Sequence, residues 1–291
     1  MNDRPAGALQ LEPRAEVRQL DLTFARSPAG RSELVARRVA YPWSLTQPFH
    51  DDGGDDGIAG MATVIPQSAN GGLYAGDRVA QRLAVGAGAA VHMASQGATL
   101  VHARRAGVAA RSDWQLDLGA GARLEILNDP IVLGPDAALR QRWQASVAPD
   151  ARLLLIESWT WLTANGAPAF RRFDTALRLC SPAGTLLALD RATIDPAALQ
   201  RHRAATSPPP AAFATAVIAG PGGDALCAAL RLALDEVPQC WSGVSTLPNN
   251  AGTVARTAAT DAAALQPLSE TVWRTVRRQD GMAQGRRRRG Y

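Results

Sequence analysis

A hydrophobic pattern repeats three times in the middle of the chain. In each copy a strand ends on an apolar residue, a turn built from Gly, Ala, Pro and Asp follows, and the next strand places a large apolar residue six positions after the first. The copies are RLAVGAGAAVHM (82–93), QLDLGAGARLEI (115–126) and QASVAPDARLLL (144–155), with apolar pairs Val85 and Val91, Leu118 and Leu124, and Val147 and Leu153. This period of about 30 residues predicts stacked β layers, each unit burying its apolar face against the next.

Shorter patterns flank this repeat. Alternating residues within 17–45 predict short strands that lead into the core, and the segments ATAVIAG and GTVARTA predict two later strands. A Pro-rich connection follows residue 190, and apolar residues at helical spacing predict two late helices, at 224–237 and 261–279. Because proline is tolerated in a first helical turn, the second helix is expected to begin just before Pro267. The faces expected to be buried carry Leu226, Leu230, Ala233, Leu265, Leu268, Val272 and Val276.

The composition is that of a soluble protein. The 291 residues are 46% hydrophobic and 20% charged, and no apolar run approaches the roughly 20 residues that a membrane span needs. The N-terminal stretch has no apolar core behind a basic start, so a secretory signal is not expected. The three cysteines are odd in number and never spaced as CxxC. We therefore expect a cytoplasmic protein without a membrane association.

The net charge is +5, and every one of the 31 basic residues is arginine. A nucleic-acid-binding protein would cluster such arginines with stacking aromatic residues. The one dense run, RRRR at 286–289, lies in a polar terminus, so residues 281–291 are predicted to form a basic, disordered tail. A solvated tail is the favoured interpretation of this run, and an RNA contact or the docking of an acidic partner stays open.

The usual catalytic and metal motifs are absent. There is no GxSxG elbow, no Walker A loop and no HExxH sequence, and GAGAAV lacks the last glycine of a dinucleotide fingerprint. The acidic segment HDDGGDDG (50–57) lacks the ligand order of an EF-hand, so an exposed loop is favoured over a metal site. His92 and His102 recur as VH pairs, and single histidines on strands are more often structural than metal ligands.

Two acidic residues occupy positions where apolar ones are expected. In ARLLLIESWTWLT (151–163), alternation places Glu157 on the strand face that carries Leu155 and Trp159. In NGGLYAGDR (70–78), a turn with glycines Gly71, Gly72 and Gly76 leads to Asp77, which is expected to share a strand face with Val79. A buried unpaired carboxylate costs several kcal/mol. Each acid is therefore predicted either to make an internal ion pair or turn hydrogen bond, or to line a polar conduit or a partner contact.

Five segments, in order over roughly residues 20–280, resemble the UreD family of urease accessory proteins, also called UreH. GGLYAGDR is similar to that family's GG-hydrophobic-x-GGD segment, and AVGAGAAVHMASQGATLVHAR to its strand, Gly-rich turn and T-T-Q-x-A-T stretch. GAGARLEILNDPIVL is similar to its GA-x-LE-x-LPDP segment, and APDARLLLIE to a segment that ends on an acidic residue, here Glu157. AAALQPLSETVWRTVR is similar to its closing Leu-Trp helix. Five matches in order with compatible spacing make the resemblance specific.

The resemblance implies a fold and a function. The fold is mainly β, an elongated β-helix-like stack of two sheets with two C-terminal helices. It implies one β-rich domain over residues 1–285, with repeated β layers over 17–190 and mixed strands and helices over 191–280. The function implied is that of a non-enzymatic maturation factor that binds UreF, which recruits the GTPase UreG, and docks on apo-urease, so that nickel passes through a protein interior. No cofactor would be stably bound, and nickel would be in transit.

A nickel path needs hydrated oxygen donors that release the ion. Under this resemblance the leading conduit candidates are Asp77 and Glu157, followed by Ser95, Gln96 and Asp129. Trp273 of the closing helix is the candidate partner-binding residue, and the three glycines Gly71, Gly72 and Gly76 have a structural role in the turn. The client could be urease or a related metalloenzyme.

Other functions stay open. A hydrolase on a β-solenoid frame would use Asp77 and Glu157 as an acid and base pair, and it would need both carboxylates in one concave pocket within about 10 Å. An arginine-rich nucleic-acid-binding protein would lose affinity steeply as salt rises.

Overall fold

The computed structural model of the chain describes residues 18–50, 58–103, 108–162 and 167–281, and these residues form a mainly β architecture as predicted. The acidic residues 51–57 and the arginine run at 286–289 lie outside the described residues. The strands are β1 (Leu20–Arg26), β2 (Ser32–Val39), β3 (Trp43–Leu45), β4 (Phe49–His50), β5 (Ala62–Val64), β6 (Pro66–Ser68), β7 (Gly72–Tyr74), β8 (Arg78–Val85), β9 (Ala90–Ala94), β10 (Thr99–His102), β11 (Ala110–Leu118), β12 (Arg123–Leu127), β13 (Ile131–Leu133), β14 (Ala138–Val147), β15 (Arg152–Trp161), β16 (Arg172–Cys180), β17 (Leu186–Ile194), β18 (Ala212–Ala219), β19 (Cys240–Thr246) and β20 (Gly252–Ala259).

Two large sheets contain most of these strands. The first has the order β17-β16-β14-β11-β8-β1-β2, and its five central strands run parallel while β2 and β17 are antiparallel edges. The second follows the path β19-β20-β18-β15-β12-β9-β5-β4, with β7, β10 and β13 paired beside it. Strands β5, β9, β12 and β15 of that sheet are parallel, and β18 to β20 are antiparallel.

The sequence repeat is the solenoid unit of this stack. Each copy contributes one strand to each sheet: β8 and β9, then β11 and β12, then β14 and β15. The residues predicted to be equivalent are directly paired in the structure: Leu118 with Val85 and Val147 in the first sheet, and Leu124 with Val91 and Leu153 in the second. The predicted β layers are therefore confirmed, because the same position of each unit stacks on its copy in the next.

The main core lies between the two sheets. Alternate residues of each strand point into it, including Leu83, Leu116, Leu124 and Leu153, all of them fully buried. Trp114 and Trp143 stack face to face inside this core, with ring centroids 5.1 Å apart. The sheets thus bury one face each against the other, which is the arrangement that strand alternation predicts.

Helices cover the opposite face of the second sheet. The two predicted helices are confirmed as α2 (Gly223–Asp235) and α3 (Leu265–Gln279), and α3 begins two residues before Pro267 as expected. The predicted apolar faces of both helices are buried against β15, β18 and β20, except that Ala233 is only partly buried. A third apolar cluster, around Trp159, closes one end of the stack.

The interpretation of the Pro-rich connection was incomplete, because it contains a further helix, α1 (Pro196–Ala204). Asp195 caps this helix by accepting a hydrogen bond from the Ala198 amide at 2.8 Å, and Pro196 occupies its first position. Both residues are ordinary helix-start signals. The prolines at 208–210 favour a loop in this connection, but they lie beyond the end of the helix and leave its start unaffected. The edge strand β19 was also not predicted.

Candidate functional site

A cavity of about 380 Å³ opens between the two sheets. Its inner wall carries Gln141 and Trp143 of β14 and Glu157 of β15, all on the strand faces that point toward the opposite sheet. Apolar side chains surround these polar groups. A carboxyl group therefore lies inside the stack with access to a space large enough for several water molecules or a hydrated ion.

Three donors hold the Glu157 carboxyl group. Gln141 Nε2 donates to Oε2 at 2.9 Å, Trp143 Nε1 donates to the same oxygen at 2.8 Å, and Thr175 Oγ1 donates to Oε1 at 2.7 Å. None of these donors is charged. The carboxyl group is therefore oriented by neutral hydrogen bonds, without a salt bridge among the described residues.

The surroundings raise the pKa of Glu157 above the ordinary value of a glutamate. Burial is the largest cause, and the nearby negative charge of Asp190 acts in the same direction. The hydrogen bonds from Trp143, Thr175 and Gln141 oppose it by favouring the ionised form, but they are outweighed. Glu157 is thus a carboxyl group that keeps its proton to a higher pH than an exposed glutamate does.

A second cavity, of about 270 Å³, adjoins the first. Trp143 and Glu157 line both cavities, so the carboxyl group lies where the two spaces meet. The second cavity extends past Thr175 of β16 to two charged residues, Asp190 of β17 and Arg256 of β20. Asp190 and Arg256 form an ion pair at 2.6 Å. The second cavity therefore adds a charged pair to the polar groups that line the first.

The weaker conduit candidates lie at the first cavity. Ser95, Gln96 and Asp129 all line it, with Gln96 exposed and the other two partly buried. Ser95 Oγ donates to Asp129 Oδ2 at 3.1 Å and accepts from the Asp129 amide at 2.7 Å. The structure thus brings these three residues and Glu157 to one cavity, although they are far apart in sequence.

Asp77 does not line either cavity. It directly precedes β8, and its Oδ2 accepts a hydrogen bond from the Tyr74 amide at 2.9 Å while its own amide donates to the Tyr74 carbonyl. This is the turn hydrogen bond that was one of the two interpretations of Asp77. The structure therefore shows Asp77 closing a turn, and its role in metal passage stays a prediction.

The three glycines of this turn have the backbone that the sequence indicated. Gly71 and Gly76 have positive φ angles of 64° and 90°. Gly72 lies against β10, where a Cβ atom would come within 2.3 Å of the Leu100 carbonyl oxygen. Gly71 and Gly72 also line the first cavity, so this turn forms part of its wall.

Trp273 lies inside the protein, with an exposed fraction of 2%. Its indole donates to Glu125 Oε2 at 2.7 Å, and the Arg277 guanidinium lies 4.3 Å over its ring. Only the opposite face of α3, with the Glu270–Arg274 pair, is accessible. For Trp273 to contact a partner, α3 would have to leave the sheet, so a partner-binding role for Trp273 stays a prediction that this packing does not favour.

A buried polar cluster fastens α3 to the second sheet. Glu125 of β12 lies at its centre and is fully buried. Its carboxylate accepts hydrogen bonds from Arg123, Arg277 and Trp273 at 2.7–3.0 Å. One of its oxygens, Oε2, also lies 3.1 Å from His92 Nδ1. At the end of the helix, Asp280 pairs with Arg123 at 2.7 Å and with Arg152 at 2.5 Å. His92 thus has the structural role expected of it, as a partner of Glu125.

Several important polar residues were not identified from the sequence. Gln141, Trp143 and Thr175 orient Glu157, and Arg123 and Arg277 surround Glu125. One signal was available: Gln141 interrupts the apolar alternation of β14 as Glu157 interrupts that of β15. The partners on α3 had no such signal, because they are more than 140 residues away from Glu125 in the chain.

The described residues contain no group of three or more His, Cys, Asp or Glu side chains placed to hold a metal ion. In the same part of the chain, no helix has both the length and the apolar character needed to cross a membrane.

Replacing Glu157 with alanine is expected to destabilise the fold by about 1–3 kcal/mol, because three buried donors would lose their acceptor.

The change Glu157→Gln keeps an acceptor for Trp143 and Gln141 and a donor toward Thr175. At pH values above the raised pKa of Glu157, burial penalises the ionised wild-type carboxylate, so the variant should be more stable than the wild type. This difference in stability should disappear as the pH falls below the ordinary carboxyl pKa, where the wild-type group is neutral in both the folded and the unfolded state. Chemical denaturation of both variants across pH tests this, and a lower stability of Glu157→Gln at neutral pH would contradict it.

Comparison with known proteins gives a consistent result. The family model described as UreD urease accessory protein matches residues 16–290. The chain is similar to Urease accessory protein UreD 1 of Pseudomonas syringae pv. syringae, with 35% identity over 274 residues that cover 92% of this chain and 93% of the relative. It is also similar to Urease accessory protein UreD 1 of Methylorubrum extorquens, with 35% identity over 300 residues that cover 99% and 97%, and to the protein of the same name in Methylorubrum populi, with 36% identity over 284 residues that cover 93% and 91%.

Proposed function

We propose that this chain, which belongs to the UreD family of urease accessory proteins, is a non-enzymatic scaffold of urease maturation whose interior carries nickel toward the apo-enzyme. Its partners would be a UreF-like protein, the GTPase UreG and the apo-urease subunits, in the cytoplasm. The observation that carries the proposal is the position of Glu157, whose carboxyl group lies where two cavities meet between the sheets.

The chemistry of the interior supports transit of a divalent cation. A carboxylate oxygen is a suitable ligand for such an ion, and one carboxylate with neutral neighbours attracts it without the multiple anionic ligands that would retain it. Ser95, Gln96 and Asp129 supply further oxygen atoms at the first cavity. A cation could thus exchange water for protein oxygens one site at a time and then be released.

Proton exchange at Glu157 fits the same role. Because its pKa is raised, a proton competes with a cation for the carboxyl oxygens at higher pH than it would at an exposed glutamate. The raised pKa favours uptake of a proton by the carboxyl group when the cation leaves, which would remove an uncompensated buried charge. Passage by this route is therefore expected to slow as the pH falls.

A catalytic role is less well supported. The relatives are named as accessory proteins, which favours a non-catalytic function. The alternative hydrolase would need Asp77 and Glu157 in one pocket, whereas Asp77 caps its own turn and lines neither cavity that Glu157 lines.

The test is urease activation with the isosteric variant Glu157→Gln, co-expressed with the urease subunits and the other accessory proteins. Replacing a charged ligand by a neutral one is expected to cost about 1 kcal/mol, and thus to lower the nickel content and activity of the purified urease about fivefold. The matched control is Asp150→Asn, which removes the same charge at an exposed position in the turn between β14 and β15. Wild-type nickel content with Glu157→Gln, when the accessory complex still assembles, would contradict the conduit.

A further inference from the structure

A groove on the outer face of the first sheet is strongly basic. It lies over strands β14, β16 and β17 and has a volume of about 470 Å³, and its arginines alternate along these strands with core-facing residues such as Trp143 and Leu177. Five arginines and one aspartate are the charged side chains that line it: Arg140, Arg142, Arg172, Arg178, Arg191 and Asp174. We refer to this feature as the arginine groove.

The strand register explains its shape. Arg142 of β14, Ala176 of β16 and Arg191 of β17 lie in one row across the three strands. Because neighbouring strands are about 4.8 Å apart, the two arginine backbones are about 10 Å apart, with the small alanine as the floor between them. Arg178 lies in the next row, beside Leu189. Long cationic side chains therefore rise on both sides of a shallow channel.

Most of this charge is not neutralised within the protein. Asp174 pairs with Arg172 at 2.9 Å. In the part of the chain that the structure describes, the side chains of Arg142, Arg178 and Arg191 are exposed and make no hydrogen bond or ion pair. Near β1, on the same face of the sheet, the arginine charge is neutralised, because Arg82 pairs with both Asp21 and Asp117. Excess positive charge is thus concentrated at the arginine groove.

The groove favours a protein segment over other anions. Arginine binds carboxylates with paired hydrogen bonds, and Leu189, 45% exposed at the groove, offers an apolar contact that a free inorganic anion would not use. Single-stranded nucleic acids usually stack their bases on exposed aromatic rings. Among the residues that the structure describes, the one aromatic side chain that lines the groove is Trp143, which is 4% exposed and points into the core.

We infer that the arginine groove is a docking site for an acidic segment of a partner protein, with carboxylates bound by Arg142, Arg178 and Arg191 and an apolar residue against Leu189. The three arginines occupy outward strand positions, on the face opposite to the core-facing Trp143 and Thr175. The role of the groove is therefore separate from metal passage, and it can be tested without nickel or urease.

The test uses the purified full-length chain and a fluorescein-labelled peptide of sequence DEDLDED, with binding measured by fluorescence anisotropy at about 0.05 M salt, where screening is weak. The triple variant R142Q/R178Q/R191Q is expected to bind the peptide roughly tenfold more weakly, since three exposed charge contacts of modest strength are lost together. Leu189→Ser should weaken binding less, and the wild-type affinity should fall as salt rises.

The matched control is R31Q/R37Q/R201Q, which removes the same charge at exposed arginines outside the groove. It should change the affinity by less than about twofold, because distant exposed charges are screened. An equal loss in both triple variants, or no binding of the peptide to the wild type, would overturn the inference. It would also be overturned if a single-stranded oligonucleotide of equal charge bound more tightly and displaced the peptide. Thermal melting of each variant verifies that the fold is retained.

Discussion

Replacing Glu125 with alanine is expected to lower the free energy of unfolding by about 3–5 kcal/mol, because it leaves buried cationic groups without their counter-charge. Glu125 is fully buried, and its two oxygens accept hydrogen bonds from Arg123, Arg277 and Trp273. Two of these partners belong to α3, which packs on the outer face of the second sheet. The helix should therefore loosen before the solenoid does, which hydrogen exchange at α3 amides would detect.

The effect should depend on pH in a defined direction. Burial alone would raise the pKa of Glu125, but the hydrogen bond from His92 and the charges of Arg123 and Arg277 lower it well below its usual range. A carboxyl group with a lowered pKa stabilises the fold above its ordinary pKa and loses that contribution only as the pH falls through the lowered value. The stabilising contribution of Glu125 should thus be fully present at about pH 8, where an ordinary histidine is neutral as well, and should be lost only below the ordinary carboxyl value of about 4.3.

The control for this prediction is Glu270→Ala. Glu270 lies on the exposed face of the same helix and pairs with Arg274 at 2.6 Å. An exposed pair of this kind contributes about 0.5 kcal/mol or less. Denaturant titration of both variants compares them directly, and a similar small loss for each would show that the buried cluster does not hold the helix.

Replacing Gly72 with alanine is expected to destabilise the protein by about 3 kcal/mol, since the new methyl group has no space. A Cβ atom at this position would come within 2.3 Å of the Leu100 carbonyl oxygen, on the neighbouring strand β10. Either β7 separates from β10 or both strands shift. Because Gly72 also lines the first cavity, the same change should alter the wall of that cavity.

The adjacent glycine provides the comparison. At Gly71 a Cβ atom would meet nothing within 4 Å, although φ is 64°. Gly71→Ala should therefore cost only the backbone strain of the left-handed region, about 1 kcal/mol. Equal losses in thermal stability for the two variants would show that backbone strain, not the approach of β10, determines the need for glycine here.

Local sequence patterns were sufficient to predict the strands and helices whose residues repeat or recur at a regular spacing. The three copies of the repeat predicted stacked β layers, because a residue that recurs in every unit must stack on its own copy. Helices α2 and α3 were predicted because their apolar residues lie at helical spacing, and the start of α3 followed from Pro267. Helix α1 was missed because prolines beyond its end outweighed the capping signal of Asp195.

The candidate site was only partly predictable. Glu157 was identified because a carboxylate interrupts a buried apolar face, and that property belongs to one strand. Its donors come from three sequence positions on two other strands, Gln141, Trp143 and Thr175, which only the packing of the first sheet against the second brings to it. Asp77 looked equivalent in the sequence, but its carboxylate is used by the Tyr74 amide three residues away.

The sequence by itself determined that this chain is a β stack of the UreD family and that Glu157 interrupts an apolar strand face, because strand alternation, repeat spacing and short motifs are local properties. The tertiary structure alone decided that Glu157 faces a cavity and that Asp77 closes a turn. It also decided that Trp273 is buried and donates a hydrogen bond to Glu125. It also decided that Arg142, Arg178 and Arg191 form one groove. The physical reason is that these contacts join residues from separate strands and helices, and their distances are set by the packing of whole sheets and not by any neighbouring sequence.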